Sequence, residues 1–302
     1  MAWFLIIILA YFFLAIASLV DRYLLAGPLS NPGAYTFFVG LLGGLSLIFT
    51  PFGFYVPDLS QIALSLLAGA VWILALFLFY LAISKSEVSR VAPAIGGFLP
   101  LFTFFISFVF FPKEMEISPF YGLVFLFLIL GSVLITSEKK EKVAFKGLCL
   151  PALAAFVFAL GFFLSKLVYL EQSFISGFIW MRVGGLLAVL FFLFFPQIRQ
   201  AVFKQKPDFK KRISIPFILG QACGSFGAIL QNYSISLAEI NQIPIINALE
   251  GTRYVFLLLF ILILSRKLPY FLKKEISKQT FLQKALAILF ISAGLILLAL
   301  KQ

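Results

Sequence analysis

Histidine is absent, and cysteine is limited to Cys149 and Cys223, both inside apolar stretches. These shortages remove histidine acid–base catalysis, the common zinc-ligand sets and any secreted disulfide framework. The two thiols read as small packed hydrophobes. Charge is scarce as well: Asp, Glu, Lys and Arg make up 12% of the chain, about half the usual share. There is no Gly-rich phosphate loop, nucleotide fingerprint or paired-Asp cluster. The expectation is therefore no cofactor, no metal and no ATP-driven step. The chain does not read as an enzyme.

What is present is apolar. Hydrophobic residues reach 62%, with 40 Phe among 302 residues and a mean hydropathy of +1.09. In water such a chain would aggregate; in lipid its Phe side chains suit the exterior. The net charge of +12 does not call for nucleic acid, because the basic residues lie between apolar runs. Membrane proteins carry their cytoplasmic charge there. A multi-pass protein of the cell membrane is expected, with the lipid bilayer as its solvent.

Ten runs read as spanning helices: 3–20, 34–51, 60–83, 91–111, 119–136, 147–170, 173–195, 213–237, 240–264 and 282–300. The sequence Ala15-Ile16-Ala17 resembles a signal-peptidase site, but no basic residue precedes the first run, so it reads as a retained span. The ninth run is unusual, since it holds Asn241, Gln242, Asn247, Glu250 and Arg253. A charge at mid-membrane costs at least ~2.5–3.5 kcal/mol on insertion scales. Asn247, Glu250, Gly251 and Tyr254 recur at offsets of three and four and so share a helical face. That face must look onto other helices or onto a watery cavity. Glu250 and Arg253 either pair within a buried network or line a cavity, and both can hold at once.

The two halves match in order. Arg22 corresponds to Lys166, Phe38-Val39-Gly40…Pro51 to Arg182-Val183-Gly184…Pro196, and Tyr80-Leu81-Ala82-Ile83 to Tyr233-Ser234-Ile235-Ser236. The fifth and tenth runs are both apolar around a glycine, Gly131 or Gly294. Five spans per half is odd, so the second half would enter the membrane upside down. The expected fold class is an all-α membrane protein with ten transmembrane helices as two inverted five-helix repeats. These are 1–137 and 147–302, joined by a charged connector over 138–146. Inverted repeats are a transporter hallmark, with the substrate site near the midplane between them.

On these landmarks the chain resembles the drug/metabolite transporter superfamily, as a tandem pair of EamA-type domains over essentially its whole length. Lys166 sits at the basic position late in the first helix of a unit, and Arg182 at the arginine of the second. Pro100 and Phe111-Pro112-Lys113-Glu114 match the proline and the acid that closes the fourth helix. The second half departs from the pattern, with Glu250-Gly251 for Glu-Pro and Ser265-Arg266 for Gly-Glu. The resemblance implies a secondary active transporter, an exporter of small organic solutes such as amino acids or related metabolites. A lipid-linked-sugar flippase, known among relatives, is the alternative, and a membrane-embedded enzyme stands behind both.

Residue chemistry adds a candidate site. Gln221, Gly224, Ser225, Ala228, Gln231 and Asn232 form a small and amide stripe on the eighth run. A chamber between the halves would have an aromatic wall from Trp72 and Tyr80. Its amide wall would come from Gln221, Gln231, Asn247 and Glu250, with Arg253 beside it. Trp180 and Arg182 would close it. Such walls suit an amphipathic solute. Arg182 either holds a substrate carboxylate or neutralises Glu250, and Glu250 is the candidate carrier of a coupling proton. Candidate hinges are Pro93, Gly96, Gly97 and Pro100 in the fourth run and Pro244 and Gly251 in the ninth; close packing explains such residues equally well. The pairs Gly40/Gly44 and Gly220/Gly224 read as packing positions. A monomer or weak homodimer is expected.

All basic residues except Lys113, Lys166, Arg182, Arg253 and Lys301 fall in or beside loops that follow odd-numbered runs. The positive-inside rule places those loops in the cytoplasm and both termini outside, whereas the family is usually drawn with its termini inside. The basic segment 197–212 suits contact with anionic headgroups.

Overall fold

The structure is a computed structural model that describes residues 2–25, 31–85, 88–115, 119–136, 149–203, 211–267 and 278–300. Among these residues every regular element is helical. The long helices are α1 (Ala2–Leu25), α2 (Pro32–Gly43), α3 (Leu59–Lys85), α4 (Val88–Phe110) and α5 (Pro119–Thr136). They continue with α6 (Cys149–Glu171), α7 (Phe174–Phe191), α9 (Lys211–Leu237), α11 (Gly251–Lys267) and α12 (Lys278–Leu300). Two short helices intervene: α8 (Pro196–Phe203), inside the segment expected to be loop, and α10 (Ile243–Ala248). Among the described residues each apolar run found in the sequence falls mostly on helix. Lipid offers no partners for backbone N–H and C=O groups, so an apolar run at membrane depth satisfies them within a helix.

Among the described residues five segments are long and apolar enough to cross a bilayer: Ala2–Asp21, Pro32–Phe52, Leu59–Lys85, Cys149–Glu171 and Phe174–Phe194. Shorter apolar helices cover Ile95–Phe110, Gly122–Gly131 and Leu282–Leu297. The exterior agrees. Every long helix exposes large apolar side chains, among them Leu5, Leu41, Leu67, Phe105, Leu126, Leu153, Leu187, Leu219, Ile263 and Leu289. A soluble monomer rarely shows so much apolar surface. This is an all-helical bundle built for a membrane.

The ninth run is broken, and the break is the main departure from a plain helix. A 3-10 turn over Ile240–Gln242 leads into α10, whose six residues are all buried. Glu239 and Gln242 cap that turn reciprocally. Pro244 lies in the first turn of α10, where its missing N–H removes no helical bond. The interruption falls later, at Leu249 and Glu250, and α11 starts at Gly251. By contrast α4 stays helical through Pro93, Gly96, Gly97 and Pro100. Gly96 and Pro100 are buried, Gly97 faces Val133, and the Pro93 side chain lies outside the described residues.

Helices pair by crossing between the halves. The α1 helix packs along α9, α6 along α3, and α5 along α12; α4 lies on α6, and α1 on α11. Small residues permit the closest approaches. A Cβ on Gly69 of α3 would stand 1.8 Å from the Met181 carbonyl oxygen, and one on Gly184 of α7 2.3 Å from that of Leu66. Gly220 and Gly224 do pack on α1, against Val20 and Ala17. Gly40 is tight against Val189, while Gly44 has only ordinary contacts.

Candidate functional site

An interior cleft opens between α2, α3, α6, α7 and α9. Trp72 lies at the middle of α3 and Arg182 at the middle of α7, so both reach it at mid-helix. The indole of Trp72 sits edge-on to Phe158 and Phe162, with centroids 5.4 and 5.2 Å away. Gly161 leaves room for that ring, since a Cβ there would come within 3.1 Å of it. The Arg182 guanidinium lies 4.7 Å above the Phe178 ring, a cation–π contact. Among the described residues Arg182 has no hydrogen bond and no carboxylate partner. Ser165 and Asn232 complete the polar lining. Asn232 Nδ2 donates to the Ala228 carbonyl at 2.9 Å, and its Oδ1 accepts from the Tyr169 hydroxyl at 3.0 Å. The interior volume is about 40 Å³, enough for a few water molecules. The cleft is small.

A polar network lies beside one end of the cleft. Val39 and Leu76 line the cleft and also pack against Tyr35 and Tyr80, whose rings meet edge to face at 4.8 Å. The Tyr35 hydroxyl donates to Asp21, and Gln221 Nε2 donates to Asp21 at 3.4 Å and to the Tyr35 hydroxyl at 3.3 Å. Arg253 belongs to the adjoining layer. Its Nη1 donates to Glu250 at 3.1 Å and its Nε to Ser18 at 2.9 Å. At the other end, Ser176 donates to the Tyr55 carbonyl at 2.7 Å, and the Trp180 indole approaches the same oxygen at 3.4 Å.

The residues expected to form one chamber therefore divide. Trp72 and Arg182 meet at the cleft. Tyr80 and Gln221 join the Asp21 network, and Glu250 and Arg253 pair directly with each other, Arg253 also bonding Ser18 of α1. Asn247 and Gln231 lie in the packed interior. Asn247 is 1% exposed and donates to Thr103 at 2.8 Å, while its Oδ1 has no partner among the described residues. Gln231 is buried beside Tyr11. Arg182 does not neutralise Glu250, because Arg253 does so from one turn away. Lys166 is buried, and its Nζ faces the carbonyls ending α9, Ile235 and Ser236, at 3.5 Å each. A cation there complements the negative end of the helix dipole.

Asp21, Tyr35, Ser18 and Ser165 were not marked by the sequence. Asp21 stands near a span end, where an acid reads as interfacial. Asn232 belonged to the amide stripe on the eighth run, and that stripe was the available signal.

No protein-family model matches the chain, and no curated protein does. Solved structures do match, 27 chains in number. One of them, a crystal structure, superposes with a TM-score of 0.68 at 16% identity, over 99% of this chain and 96% of its own. That identity speaks for the fold alone, and the coverage says that the whole helical arrangement recurs.

Proposed function

We propose that this chain is a secondary active transporter of the drug/metabolite type, an exporter of small organic solutes, built from two inverted five-helix repeats over 1–137 and 147–302. The exchanged packing supports the repeat. The first helix of each half lies on the third of the other, α1 on α9 and α6 on α3, and the two fifth helices pair as α5 and α12. Gly131 faces Ile291 and Gly294 faces Leu128 across that last pair. Such reciprocity is what a pseudo-twofold axis produces. Ten spans then follow, with α10 and α11 sharing one crossing.

The observation that carries the transport reading is the mid-helix cleft between the halves, aromatic on one side and cationic on the other. A scaffold has no need of a charge there, where it is costly to keep. The cleft's volume is small, so solute passage requires the helices to part. Coupling runs through a proton, with Glu250 as its carrier. The test is reconstitution in liposomes with radiolabelled amino acids and other metabolites, with and without a pH gradient. Gradient-driven uptake is the expected result. Movement of a labelled lipid, with every soluble solute left behind, would replace the transporter by a flippase.

A further inference from the structure

The two mid-bundle arginines differ in what holds them. Arg253 is held by the Glu250 carboxylate and the Ser18 hydroxyl. Among the described residues Arg182 stacks on the face of Phe178, lies near Tyr169, and faces the cleft with no hydrogen bond or carboxylate partner. Keeping a guanidinium at that depth without a counter-charge is unfavourable, so a ligand that supplies one gains the whole difference. The remaining lining adds two constraints. Among the described residues no acidic side chain lines the cleft, so a ligand ammonium group meets no opposite charge. Trp72, Phe178, Gly43 and Gly69 among the lining residues offer apolar surface beside Arg182.

We propose that Arg182 is the anion-recognition point of this cleft, and that its ligand is a monocarboxylate with a short apolar or aromatic body and no ammonium group. A carboxylate matches the guanidinium fork in two parallel hydrogen bonds. One arginine balances one negative charge. A dianionic phosphate is left half-compensated, because Lys166 is turned to the end of α9 and Arg253 is engaged elsewhere. The proposal sharpens the transporter reading and rests on it for the ligand's physiological role: it moves the substrate class from amino acids towards simple carboxylates.

The experiment is calorimetric titration of the full chain in detergent with 3-phenylpropionate, 3-phenylpropionamide, phenylalanine and inorganic phosphate. Phenylpropionate is expected to bind at least tenfold tighter than each of the other three. Arg182→Gln should abolish the preference over the amide, and Arg182→Lys should keep part of it. Equal binding of acid and amide, no binding of the acid, or an undiminished preference in Arg182→Gln would each overturn the proposal. Liposome flux separates the two claims. Specific binding without flux under any gradient leaves the site standing and removes the transporter, whereas flux indifferent to Arg182 and to the carboxylate does the reverse.

Discussion

The hydroxyl of Tyr11 on α1 donates to the carbonyl oxygen of Ile246 on α10 at 2.7 Å. In an unbroken helix that carbonyl would receive the N–H of Glu250, but the Glu250 N–H turns to Asn247 instead, at 3.2 Å. The helix break thus frees one buried acceptor, and a side chain from the first helix of the chain takes it. A helix that stops inside a bundle needs such a partner.

Tyr11→Phe keeps the ring and removes the donor. An unsatisfied buried acceptor costs about 1–3 kcal/mol, so the variant should unfold at lower denaturant or temperature than the wild type in detergent. An unchanged midpoint would mean that water or another donor reaches Ile246.

Glu250 and Arg253 are partners 3.1 Å apart. Removing one member of a buried pair costs about 3–5 kcal/mol, while replacing both by apolar groups is often neutral. Glu250→Leu alone should be strongly destabilised, and Glu250→Leu with Arg253→Met should recover most of the loss. Additive losses in the double variant would show that the pair is not coupled. In liposomes, Glu250→Gln should lose pH-gradient dependence; normal transport with an unchanged pH profile would end the proton role.

Gly69 and Gly43 both border the cleft but differ in space. A methyl on Gly69 collides with the Met181 carbonyl, whereas one on Gly43 meets Arg182 Cδ at 3.7 Å, an ordinary contact. Gly69→Ala should cost about 1–3 kcal/mol from overpacking and part α3 from α7. Gly43→Ala should be neutral or slightly stabilising, because alanine is the better helix former. Melting of the two variants side by side checks this ordering, and equal midpoints would contradict it.

Orientation is testable by charge. With Cys149 and Cys223 replaced by Ala, a cysteine at Lys113 should react with an impermeant maleimide on intact cells. One at Lys142 should react only after lysis. The opposite pattern would put both termini in the cytoplasm.

Much of the helical layout was legible because apolar runs long enough to span lipid leave the backbone one way to satisfy itself. The location of the break was legible in part. Pro244 and Gly251 were the candidate hinges of the ninth run; proline in a first turn is harmless, and the interruption came at Leu249 and Glu250, directly before Gly251. The helix α8 was hidden because Pro196–Phe203 reads as part of a basic loop. Trp72 and Arg182 were recognisable as unusual residues at mid-span. Asp21 and Tyr35 were not, since neither position is remarkable until α1 and α2 bring them within one hydrogen bond.

Sequence alone determined the solvent of this protein, its helical class and which spans carry charge at depth, because hydropathy and length are properties of each segment by itself. Tertiary structure decided partnership. Arg182 and Arg253 are equally costly on paper; Arg253 takes its counter-charge from Glu250, three residues before it, and the crossing of α11 with α1 adds the Ser18 hydroxyl, whereas α7 leaves Arg182 facing the cleft. A buried charge is defined by what packs around it, and that is set by helices far apart in the chain.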